Sequence, residues 1–209
     1  NNGERSPYLI PVVVFWFAGS ILYYLAFQNV EPIAVGAIVY LLGELFLKIP
    51  YVGGWAERKI YRITFSVYWL VASATAAYVS FFSYQFLLMD VAWFVKLASV
   101  GFSDQSLLEI QYRTEGAIIV YVWRIAYGIF EFIGFEKAAY MGILINSLVV
   151  SFSGVVSVKI ARQLYGNDSA RLNILILLFS LCGMFWLFAA THLRDSFIVF
   201  GFTSIMYVW

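Results

Sequence analysis

From Tyr8 to Phe27 the chain runs for twenty residues without one charged side chain, and from Leu172 to Ala190 for nineteen. A helix needs about 20 apolar residues to cross the ~30 Å hydrocarbon core of a bilayer, so repeated runs of this length point to helices solvated by lipid. Composition agrees. Of 209 residues 63% are hydrophobic and only 12% charged, with a mean hydropathy of +0.84, whereas soluble domains carry about 25% charged residues. The expected fold class is all-α: a polytopic transmembrane helix bundle of about 5–7 spans, forming a single domain over residues 1–209.

Taken in order, Tyr8 to Phe27 is the first expected span, with Tyr23 and Tyr24 as interfacial rings. Pro32 suits the first turn of a second span reaching about Leu47, since its missing N–H is harmless there. Glu44 precedes Lys48 by one turn and is expected to pair with it. Pro50, Gly53 and Gly54 then stop the helix, so Lys48 to Arg62 is expected to be a loop carrying Arg58, Lys59 and Arg62. Ile63 to Phe82 is the third span, rich in the Ser, Ala and Thr that let helices approach closely in lipid. Ala138 to Val158 is another, holding Asn146, Ser147, Ser151, Ser153 and Ser157.

Ser83 to Lys137 admits two readings. Tyr84 to Phe102 carries Asp90 and Lys96, and Gly116 to Phe135 carries Arg124 and Glu131, seven apart and so on one helix face. Both stretches cross the membrane, or both lie at its outer surface with Trp93, Phe94 and Trp123 as acyl-boundary anchors. Between them Ser103 to Ser106 starts a short helix pairing Glu109 with Arg113.

Basic residues set the orientation. Arg5, Lys48, Arg58, Lys59, Arg62, Lys159, Arg162 and Arg171 fall in segments expected to be cytoplasmic, and Lys137 and Arg194 outside. An even number of crossings must then separate the two basic loops. The net charge of +1 gives no case for a nucleic-acid partner. The lone Cys182, in the middle of an apolar run, reads as a small core residue. The N-terminal stretch does not read as a signal peptide, since no basic segment and no small-residue cleavage site flank a short apolar core. After Asp195 only about 21 Å of helix remains, from which we expect that the natural protein continues past Trp209 and that the chain is a piece of it.

One polar knot, Thr191-His192-Leu193-Arg194-Asp195-Ser196, interrupts the apolar C-terminal third and holds the only histidine. Charge at membrane depth costs about 2.5–3.5 kcal/mol on insertion scales, so such residues by default mark function. The plainer reading is an interfacial turn in which Asp195 or Ser196 caps the next helix and Arg194 snorkels.

A long acidic outer segment, the Ser- and Asn-bearing span ending in Lys159-Ile160-Ala161-Arg162-Gln163-Leu164-Tyr165-Gly166, the apolar span with Phe185-Trp186, and Leu193-Arg194-Asp195-Ser196 together resemble polytopic GT-C-type glycosyltransferases. More narrowly they resemble bacterial polysaccharide polymerases and lipid-linked-sugar transferases. The resemblance covers roughly residues 83–209. It implies transfer of a sugar from a polyprenyl-phosphate carrier at the outer leaflet of the bacterial inner membrane, with membrane lipid and a lipid-linked sugar donor as partners and other membrane subunits as further candidates. Asp195 falls at the second acidic position, and Asp90 or Asp104 supplies the first. A carboxylate accepts the proton of an attacking hydroxyl, and basic residues neutralise a leaving phosphate; Arg194, His192, Arg124 and Arg113 are the candidates. No metal ligands are assigned. The paired acidic motif of better-known members is missing, which leaves a divalent cation an open question. Two other classes compete: a non-catalytic subunit or scaffold whose charges neutralise one another, and a transporter, for which no internal repeat is evident.

Overall fold

The computed structural model describes residues 8–50, 52–82, 117–166, 168–191 and 194–209, and every described element is a helix. In order these are α1 (Leu9–Phe27), α2 (Glu31–Phe46), α3 (Trp55–Phe82), α4 (Ala117–Ile133), α5 (Ala139–Tyr165), α6 (Ser169–Leu181), α7 (Gly183–Ala190) and α8 (Asp195–Val208). Three of them, α1, α3 and α5, are long and apolar enough to cross a membrane, and α6 with α7, bent by 55°, makes a fourth if counted as one span. This is the composition of a membrane protein. The exposed side chains fit a lipid solvent: Val13, Phe17, Leu41, Leu45, Ile174 and Phe202 all face outward.

Helices α3 and α5 form the centre, and α1, α2 and α6 pack round them. Lipid tails are as apolar as leucine, so close packing has to hold such helices together. Here α3 supplies large side chains and its neighbours supply glycine notches. A Cβ on Gly19 of α1 would lie 2.4 Å from the Trp69 indole, and one on Gly36 of α2 would lie 2.1 Å from the same ring. Lower down, Gly43 receives Tyr61, whose hydroxyl donates to the Tyr40 carbonyl at 2.9 Å. Trp69 also stacks on Trp16, with ring centroids 4.6 Å apart.

Three expectations need correction. The basic cluster of Arg58, Lys59 and Arg62 stands on the first turns of α3, not in a loop, because the helix begins at Trp55. Its start is fixed by Glu57, whose carboxylate reaches back to the Gly54 N–H at 3.0 Å, half of a capping box. Glu44 does not pair with Lys48. Arg62 takes both its carboxylate oxygens, at 2.7 and 2.8 Å, across from α3 to α2. A second Glu–Arg pair, Glu57 with Arg162 at 2.8 Å, joins α3 to α5. Both carboxylates are buried, which makes a neighbouring helix's planar guanidinium a better partner than an exposed ammonium one turn away. Finally, Leu172 to Ala190 is not one helix. It breaks at Cys182, which is extended with φ −72° and ψ 117° and half-buried instead of sitting mid-helix.

The bundle has a basic end and an opposite end. Tyr8, Trp55, Lys59 and Asn173 meet at the first. At the other, Ser80 bonds the Ala26 carbonyl at 3.0 Å and Tyr140 meets Glu31 at 3.3 Å. Helix α8 runs toward the basic end, for the ring of Tyr207 lies 5.6 Å from the Lys159 ammonium.

Candidate functional site

Breaking a helix in an apolar medium strands carbonyls that water cannot satisfy, and such backbone survives at depth only where protein or a wet cavity covers it. At Cys182 side chains meet that demand. The Phe179 carbonyl accepts the hydroxyl of Tyr68 from α3, and the Ser180 carbonyl accepts Nε1 of Trp186 at 2.6 Å. The far end of α7 is treated the same way. Its Leu187 carbonyl accepts Thr191 Oγ1, Phe188 accepts Ser196 Oγ at 2.7 Å, and Ala189 accepts Ser147 Oγ at 3.0 Å.

Asn146 of α5 organises this apex. Its Nδ2 donates to the Thr191 carbonyl at 2.8 Å, and its Oδ1 accepts Nε1 of Trp123 from α4 at 3.0 Å. Trp123 in turn meets Phe197 of α8 edge-on, with centroids 5.7 Å apart. The wholly buried Asn146 amide therefore ties α5 to α4 and to the turn after α7, and Trp123 carries the link on to α8. Asn146 lies about seven residues along α5, or about 10 Å from that helix's far end at ~1.5 Å per residue. Thr191 and Ser196, the two ends of the polar stretch, are thus both buried in the bundle.

Neither residue expected to cap α8 does so. The N-cap is Arg194, in helical conformation with no capping side-chain bond, and Asp195 occupies the first helical position. Ser196 is spent on the Phe188 carbonyl. Arg194 and Asp195 are half-buried, and among the described residues neither side chain has a hydrogen-bond or ion-pair partner, each other included.

Beside the apex is a cavity of about 400 Å³ between α1, α3 and α5, walled mainly by apolar side chains such as Phe27, Ala72, Val79 and Ile143. Thr191 lines it, three residues before Arg194, and so does Tyr23, whose buried hydroxyl has no hydrogen-bond partner among the described residues.

Of the other expected residues, Arg124 is 2% exposed on the face of α4 that also buries Val120, Trp123, Tyr127 and Phe130. Glu131 does not share its fate; it is exposed and pairs with Lys137 at 2.8 Å. Trp123 is not a lipid anchor, because it is fully buried against Asn146, and the apolar Ile125, Ile129 and Phe132 face outward instead. Asp90, Asp104, Arg113, Lys96, Glu109, Trp93, Phe94 and His192 lie outside the described residues. No three potential metal ligands come together among the described residues. Sequence reasoning missed Asn146 and Ser147 as the apex's acceptors and donors, although polar groups in so apolar a span had to find partners.

Compared with known proteins, the chain matches no family model, no curated sequence and no solved structure.

Asn146→Leu is expected to leave the Trp123 N–H and the Thr191 carbonyl unmet. At roughly 0.6 to 1.7 kcal/mol per interhelical bond in membranes, the loss is about 1–3 kcal/mol by denaturant unfolding in mixed micelles. Ser157→Ala, which removes only a bond to the Ser153 carbonyl in its own helix, should be near neutral. Equal losses for the two would contradict the role given to Asn146.

Proposed function

We propose that the chain is the membrane core of a bacterial inner-membrane glycosyltransferase or polysaccharide polymerase that takes its sugar from a polyprenyl-phosphate carrier at the leaflet opposite the basic end. One observation carries the reading. Half-buried Arg194 and Asp195, their side chains unpartnered among the described residues, open α8 a few residues after Ala190 and Thr191, which line an apolar cavity of about 400 Å³. Intramembrane charge beside a concave apolar site marks function by default.

In this reading the isoprenoid occupies the cavity between α1, α3 and α5. Arg194 faces the carrier phosphate, with buried Arg124 of α4 adding positive charge to the same half of the bundle. Asp195 accepts the proton of the attacking sugar hydroxyl as its oxygen bonds the donor's anomeric carbon; the bond from that carbon to the phosphate oxygen breaks, and the carrier phosphate leaves as the anion. About six passes are counted from α1, α2, α3, α5, the α6–α7 pair and α8. The break at Cys182 also suits a transporter, since discontinuous helices build many solute sites.

A strain lacking the protein should accumulate lipid-linked glycan and be rescued by the intact gene but not by Asp195→Asn. Unchanged lipid-linked glycan in the deletion strain, with a solute failing to cross, would select the transporter.

The orientation has its own test. In a Cys182→Ala background, a membrane-impermeant thiol reagent applied from outside should label Glu136→Cys and leave Arg171→Cys untouched. Labelling of Arg171→Cys from outside inverts the topology and ends the outer-leaflet reading.

A further inference from the structure

A second cavity, of about 300 Å³, opens at the basic end between α3, α5 and α6. Its inner walls are apolar, Ala56, Val158, Leu172 and Ile176, and its rim carries Lys59 and Arg162. The three carboxylates resolved near this end are already committed, Glu44 to Arg62, Glu57 to Arg162 and Asp168 to Arg171. Lys59 receives none of them. Its ammonium is instead held by Asn173 Oδ1 at 3.1 Å and placed over the rings of Trp55 at 5.2 Å and Tyr8 at 5.9 Å. A neutral amide and two aromatic faces fix a cation's position without cancelling its charge. Trp55 itself is 65% exposed, as an indole at a headgroup boundary should be.

We infer that this cavity binds an anionic phospholipid of the leaflet at the basic end, its phosphate on Lys59 and the upper part of an acyl chain against Val158, Leu172 and Ile176. Apolar walls under a cationic rim match a molecule with a charged head and a hydrocarbon body, which a soluble phosphate is not. The site lies at the opposite end of the bundle from Asp195, so it does not serve the proposed transfer.

The test uses the purified full chain in detergent, titrated with phosphatidylglycerol or phosphatidylcholine and read by native mass spectrometry. Lys59→Gln should lower retained phosphatidylglycerol about fivefold, the scale of one lysine's attraction to an anionic headgroup, and leave phosphatidylcholine retention unchanged. Lys48→Gln, which removes an exposed lysine outside the cavity, should retain as much phosphatidylglycerol as the unaltered protein. Equal losses for the two lysine variants mean diffuse attraction and overturn the site, as does full retention by Lys59→Gln. Displacement of the lipid by millimolar inorganic phosphate would assign the cavity to a free anion and overturn the lipid. If Lys59→Gln does not fold, Asn173→Ala, an exposed change that frees the ammonium, should cut retention about twofold; no change would count against the proposal.

Discussion

Asp195→Asn is expected to lower glycan output by a factor of about 100 or more while the protein still folds and inserts, the scale of losing general-base help. The structure sharpens this expectation. Asparagine caps helices about as well as aspartate, but here the N-cap is Arg194 and the Asp195 carboxylate makes no capping bond. Ser196, not Asp195, ties the start of α8 to α7. Removing the charge therefore costs the fold at most the N-terminal dipole term, about 0.3–1 kcal/mol, and takes from the site its only described carboxylate. Glycan output measured at equal membrane abundance separates the two effects. Undiminished output would remove the catalytic reading and leave the scaffold.

Gly36→Val is expected to be the most damaging single change to the fold. The first added carbon would sit 2.1 Å from the Trp69 ring, and that ring has nowhere to retreat. Trp16 stacks on it at 4.6 Å, Tyr23 packs on it at 4.7 Å, and its Nε1 donates to the Trp16 carbonyl at 3.3 Å. Overpacking of a filled core costs about 1–3 kcal/mol, occasionally more, and here α2 has to move bodily away from α3. The upper end of that range is expected, read as a fall in the denaturant midpoint. Gly128→Val, on α4 with open space around its Cβ position, is the matched control and should lose much less. Restoration of Gly36→Val by Trp69→Leu would show that the clash is local.

The long spans were legible because lipid imposes a crude requirement, about 20 apolar residues, and α1 follows the Tyr8 to Phe27 run almost to the residue. Charge pairing was not legible. Helical spacing offered Lys48 to Glu44, and only the packing of α2 on α3 brings Arg62 closer. The break at Cys182 was hidden for a related reason. Neither Leu181 nor Gly183 forces a helix to stop, and the bend persists because Tyr68, more than a hundred residues earlier in the chain, supplies the missing hydrogen bond. At the site, the sequence drew attention to Arg194 and Asp195 by their charge alone. The chain just before them is held by Asn146, which donates to the Thr191 carbonyl, and that partnership shows only once α4, α5 and α7 are in place.

The carbonyls around α7 have a bearing on the order of assembly. Tyr68 of α3 and Ser147 and Asn146 of α5 complete hydrogen bonds that α6, α7 and their following turn cannot make for themselves. Entering the bilayer ahead of those partners, the hairpin from Ser169 to Val208 would expose bare backbone to hydrocarbon, at several kcal/mol per group. With both partners earlier in the chain, synthesis from the N-terminus delivers them first. A circularly permuted chain beginning at Ser169 would have to insert its least self-sufficient part with no template, and should be held back or degraded even though every native contact remains available to it.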